Sequence, residues 1–85
     1  MKMLKDMGMA VDMVIPYVTS EDWKKRFIGE YWMLRFRTEG LNDIVLKLNC
    51  DKLDFKPNCD ISTLSVQAST MERYLEILEK RAVIE

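Results

Sequence analysis

Phe27, Leu34, Leu41 and Leu48 stand seven residues apart, and Trp23, Glu30, Arg37 and Ile44 each stand four residues before one of them. No other feature constrains the chain as much. A seven-residue repeat over this distance marks a helix that packs along its length against another helix. The stretch from 20 to 48 therefore reads as one long helix. Thr19 or Ser20 is expected to cap it, and Glu21 and Asp22 suit its positive end. Two members of the second row are charged and its first is an indole, which a plain packing seam does not require. Ile28, Trp32 and Phe36 form a further apolar row, and Gly29, Met33, Phe36 and Gly40 share a face with room for a close neighbour. A helix apolar on more than one side has to be covered on more than one side.

The cleanest repeat lies further on. Ile61, Leu64, Ala68, Met71, Leu75, Leu78 and Ala82 alternate steps of three and four, the spacing of a coiled-coil seam, on a helix that begins at about Cys59 or Asp60. Between the two helices, Asn49 to Asn58 reads as a turn, with Leu53 and Phe55 expected to hold it against the helix ends. Before them, residues 2–15 carry Leu4, Met7, Val11, Val14 and Ile15 at helical spacing. Gly8 weakens this segment, and Pro16 predicts a boundary near 15, followed by Tyr17-Val18 as a linker. Such a segment needs an apolar surface to lie on, either this chain's own helices or a lipid or protein partner. The expected fold is all-α: a Met-rich segment over 1–18 with a short helix, then an antiparallel long helical hairpin over 19–85. A large buried apolar side chain contributes roughly 1.5–3 kcal/mol, while ordering each residue costs about 1.5 kcal/mol. One stripe per helix struggles against that cost, so a helical homo-oligomer is expected.

Composition removes several function classes. The net charge is -1, so the chain as a whole is not built to coat DNA, RNA or an acidic membrane. There is no histidine, the commonest metal ligand and the usual general base near neutral pH. Ser62, Thr63, Ser65, Ser69 and Thr70 thus have no imidazole to activate them, and no glycine-rich phosphate loop follows a strand. No catalytic residue, metal site or cofactor is expected. Met1, Met3, Leu4, Met7 and Met9 are interrupted by Asp6 and Asp12, which fits neither a signal segment nor a membrane span. The expected compartment is the cytoplasm, where Cys50 and Cys59 would remain thiols.

One cluster carries chemistry. Trp23, Lys24, Lys25, Arg26, Arg35 and Arg37 set an aromatic ring among cations, which offers a nucleotide a π-face for its base and fixed charge for its phosphate. The plainer alternative is a basic helix surface whose tryptophan fills a groove. Arg37 occupies a row that should face a partner, so its charge must pair with Glu30 or Glu39 or await a ligand. Arg73, Lys80 and Arg81 alternate with Glu72, Glu76 and Glu79 and read as solvated helix pairs.

Trp23 to Ala82 also resembles a family of small phage and prophage proteins known from crAss-like phages, and the helical hairpin of phage anti-CBASS sponges. The residues that carry the likeness are Arg26-Phe27-Ile28-Gly29-Glu30-Tyr31 with Leu34 and Leu41, then Leu53-Asp54-Phe55, Pro57 and Cys59. Gln67, Met71, Tyr74-Leu75, Ile77-Leu78 and Arg81-Ala82 complete it. A related hairpin occurs in anti-Thoeris sponges, which extends the implied ligands to cyclic ADP-ribose isomers. The resemblance implies a hexameric assembly that holds cyclic di- or trinucleotide signals without cleaving them, in the host cytoplasm if a phage encodes it. It places Trp23 where the family has an aromatic residue at the head of the first helix, and Arg37 where it has a lysine four turns along. Arg81 matches an arginine of a second pocket near the hairpin's end. Ligand-binding roles are therefore expected for Trp23, Arg26, Arg37 and Arg81. The alternative is a helical oligomer that binds a host protein or plays a structural role, with no nucleotide ligand.

Overall fold

The computed structural model describes residues 4, 7–50, 52 and 60–84, with side chains as far as 82. Among these residues every regular element is helical: a 3₁₀ turn over Val11–Met13, then α1 (Val14–Val18), α2 (Trp23–Asn49) and α3 (Ile61–Ile84). The expected turn between α2 and α3, with Leu53, Phe55 and Cys59, lies outside the described residues.

Pro16 does not end a helix, contrary to the sequence expectation. It stands third in α1, within the first turn, where a backbone N–H has no intrahelical partner and proline's fixed φ suits the helix. What divides the N-terminal segment is Gly8, at φ +65°, a left-handed conformation that glycine adopts without penalty. Among the described residues of the segment the α-helix is a short α1 that runs three residues past the expected boundary at 15, and Tyr17-Val18 belongs to it. Thr19 is then used up in closing α1, its hydroxyl donating to the Ile15 carbonyl at 2.8 Å. The cap of α2 is Asp22 rather than Thr19 or Ser20, its Oδ1 accepting from Lys24 N at 3.0 Å. Ser20 Oγ accepts from Asp22 N at 3.1 Å and so supports the cap from outside. Asp60 opens α3 in the same way, accepting from Thr63 N at 3.0 Å. Its hydrogen bonds with the Thr63 hydroxyl and N–H hold that carboxyl below its ordinary range.

α2 is 27 residues long, about 40 Å at 1.5 Å per residue, and α3 lies antiparallel along it. The direction follows from the cross-links. Tyr31 Oη donates to Glu79 Oε1 and Asn42 Nδ2 donates to Glu72 Oε1, both at 2.9 Å. All seven members of the α3 seam, from Ile61 to Ala82, are buried or half-buried, and every other described side chain of α3 except Glu79 is exposed.

The N-terminal segment covers a different side of α2. Leu4, Val14 and Trp32 are buried in one cluster with Tyr31 and Leu78, and Met7, Met9, Val18, Ile28 and Phe36 pack against it. A Cβ placed on Gly29 would lie 2.7 Å from Val18 N and 2.9 Å from Tyr17 Cβ, so the missing side chain is what lets α1 approach. Gly40, which shares that face, has nothing within 4 Å of the same position. Of the two readings of the segment, the lid on the chain's own helices is the one the structure adopts.

Both faces expected to require a second chain, Ile28/Trp32/Phe36 and the α3 seam, are therefore covered within this one. The apolar surface left over lies elsewhere. Val66 is 65% exposed and Ile77 43% on the outer side of α3, and Leu46 is 62% exposed near the end of α2. No helix among the described residues is long and apolar enough to cross a membrane.

Candidate functional site

The two flanks of the α2–α3 hairpin carry opposite chemistry. One is lined by Glu39, Glu72, Glu76 and Glu79 around Arg35 and Tyr31, an open groove of about 410 Å³. Arg35 is committed there, with Nε 3.2 Å from Glu39 Oε1 and its guanidinium 4.6 Å over the Trp32 ring. Burial, and then the hydrogen bond to Glu79, push the Tyr31 phenol up to about 12.

The other flank holds the groove of interest. Val18, Trp23, Arg26, Phe27, Glu30 and Arg81 line an open groove of about 450 Å³. Each comes from a separate structural cause. Trp23 is the first residue of α2, placed by the Asp22 cap, and is 51% exposed. Arg26 is fixed by Nη1, which donates to the carbonyls of Ser20 and Glu21 at 2.9 Å each. Its other N–H groups make no hydrogen bond among the described residues, so part of the fork faces the groove. Arg81 arrives from α3, its guanidinium 4.9 Å over the Phe27 ring. Val18 arrives with α1, so seating the N-terminal segment on Gly29 also completes the groove wall.

Three of the four expected ligand-binding residues thus meet around one groove, from sequence positions as far apart as Trp23 and Arg81. Arg37 does not join them. It lies on the same side of α2 but four turns further on, about 21 Å along the axis, and is exposed. Neither expected carboxylate partner serves it: Glu39 pairs with Arg35, and Glu30 accepts from Tyr74 Oη. The solvated pairs expected along α3 are met in part by other contacts. Arg73 does pair with Glu76 at 3.2 Å, but Glu72 and Glu79 reach across to α2 and Arg81 stacks on Phe27.

Val18, Phe27 and Glu30 are the groove residues to which the sequence assigns no ligand role, and Tyr74 reaches Glu30 from the facing helix. Glu30 had a signal, as a charge in the heptad row headed by Trp23. Its bond to Tyr74 joins residues 44 positions apart, and only the register of α3 on α2 reveals it. That bond, followed by burial, raises the Tyr74 phenol above its ordinary value, so the hydroxyl remains the donor. Among the described residues no group of three or more acidic or cysteine side chains is placed to hold a metal ion. Cys50 is exposed and a free thiol.

Fold and groove define the class: a small all-helical protein with an aromatic ring and two guanidinium groups around one open groove. Residues 21–84 match the model of the Sequestin family, and the chain belongs to that family. The family name itself speaks of sequestering. Comparison with curated proteins and with solved structures returns no match.

Proposed function

We propose that the protein is a sponge that binds and sequesters a cyclic nucleotide second messenger, a cyclic di- or trinucleotide, without cleaving it, and so blunts a nucleotide-signalled immune response in the manner of phage evasion proteins. The observation that carries this reading is the convergence of Trp23, Arg26 and Arg81 on one groove. An exposed indole offers a base its π-face, and two guanidinium groups offer phosphate a fork. The opposite flank, rich in glutamate, repels the same ligand. Membership of a family named for sequestering supports holding rather than turnover.

The mechanism is mass action. A sponge lowers free messenger below the threshold of its effector only if it is abundant or binds more tightly than the effector does. Arg37 lies too far from Trp23 to serve the same ligand in one chain, so its place in this reading is in a groove of a neighbouring copy, within a homo-oligomer that the family resemblance makes a hexamer. The site of action is the cytoplasm. Titration calorimetry against cyclic di- and trinucleotides and cyclic ADP-ribose isomers tests the reading. Saturable binding of a cyclic di- or trinucleotide is expected. Binding of cyclic ADP-ribose isomers alone would transfer the sponge to that ligand class, and no binding across the panel would leave a helical oligomer that acts on a protein.

A further inference from the structure

The N-terminal segment has a weak hold on the hairpin, and it shares that hold with the groove. α1 is five residues long, far short of what is stable alone in water, so its helix depends on docking. Leu4 and Val14 are buried, whereas Val11 is 70% exposed and Ile15 61%. Only one side of the segment therefore contributes apolar burial. Trp32, in the cluster that Leu4 and Val14 join, is buried with its indole N–H unpaired among the described residues. An unpaired buried donor weighs against the closed core. Two further attachments are Val18, seated in the notch at Gly29, and the junction into α2, where Arg26 Nη1 donates to the Ser20 and Glu21 carbonyls. Val18 and Arg26 are also groove residues. Residues 7–20 lie before the family match, which begins at 21.

Resting on the sponge reading, we propose that the N-terminal segment is a latch on the groove, so that its docking and nucleotide binding favour each other. Val18 is a wall of the groove only while α1 is seated. Arg26 joins the latch to the ligand. Its partners at the junction are neutral carbonyls, so the guanidinium is oriented with its charge intact for phosphate. A nucleotide that touches both residues binds the docked state better than the open one and shifts the chain toward docking. By reciprocity, docking raises the affinity by the same factor, and lifting the segment releases the messenger. The segment turns at Gly8, whose φ of +65° would be strained by any side chain.

The test uses the full chain with cyclic di-GMP, cyclic di-AMP and cyclic tri-AMP as probes. Amide hydrogen exchange reads docking at Met13 and Val14, whose N–H groups bond to the Ala10 and Val11 carbonyls, outside the groove lining. A saturating probe should slow exchange there by about five- to 150-fold, the usual range of coupling between sites. Val14→Asp puts a charge into the buried cluster without altering a groove residue. It should speed that exchange and weaken binding by a factor that matches the protection within about threefold, while circular dichroism keeps the α2–α3 helices. If Val14→Asp loses that helicity, Gly8→Ala replaces it, since nothing lies within 4 Å of the added Cβ and only the docked backbone is strained. Exchange at Met13 should then rise in the free chain and fall back under a saturating probe. Unchanged exchange at Met13 and Val14 with probe bound overturns the latch and leaves the sponge reading standing. So does full affinity in Val14→Asp when those amides already exchange fast. Binding of none of the probes overturns both.

Discussion

The two tryptophans show how little residue type says without its surroundings. Trp32 is 5% exposed, part of the core, with Arg35 over its face. Trp23, nine residues earlier, is half in solvent at the head of α2. Truncating Trp23 therefore removes little packing. Trp23→Ala should weaken cyclic dinucleotide binding about ten- to a hundredfold, since base stacking contributes roughly 1–3 kcal/mol, and should leave the melting temperature nearly unchanged. A collapse of the fold in that variant would make the indole structural. Tyr31 gives a second handle, on stability. Its phenol ionises at about 12 in the fold against an ordinary 10.0, so the folded state keeps the proton that the unfolded chain loses first. Its contribution is whole below pH 10 and is lost as pH rises from 10 toward 12. Tyr31→Phe should flatten that alkaline decline in urea-unfolding free energy. It should also cost about 1 kcal/mol at neutral pH through the lost bond to Glu79.

At the scale of elements, α3 was legible because its seven-member seam meets one neighbour, and burial then follows the three-four alternation residue by residue. α2 was harder to read. It is covered on two sides by different partners, so its rows could be recognised as apolar without showing which one takes α3 and which one takes the N-terminal segment. The segment itself was misread at Pro16 because proline is tolerated in a helix's first turn and forbidden in its interior, and local sequence does not say which applies. Of the groove, Trp23, Arg26 and Arg81 were legible as residue types, whereas Glu30 with Tyr74 required the pairing of distant helices. Gly29 and Gly40 test the docking of α1 directly. Gly29→Ala drives a Cβ into the α1 backbone and should cost about 1–3 kcal/mol in denaturant unfolding. It should also weaken ligand binding by displacing Val18. Gly40→Ala meets nothing and should gain about 0.5–1 kcal/mol. Equal effects at the two sites would contradict the placement of α1.

At the scale of the molecule, a net charge of -1 hides a hairpin acidic on one flank and basic-aromatic on the other, so one surface suits an anion although the whole chain does not. The proposed assembly would use the exposed outer row of α3 and Arg37 rather than the faces that fold inward. Light scattering should return a multiple of 10.1 kDa. Val66→Glu with Ile77→Glu should lower that mass while helicity is retained, because both side chains are exposed within the single chain. Ala68→Glu, by contrast, would put a charge in the α2–α3 seam and unfold the hairpin. The central claim is that a messenger is held and not converted. The most direct measurement is mass spectrometry of the nucleotide released by heat from a protein saturated with cyclic dinucleotide by dialysis. The account predicts the intact ring, recovered in proportion to the protein. A linear dinucleotide, a mononucleotide, or no retained nucleotide at all would contradict it.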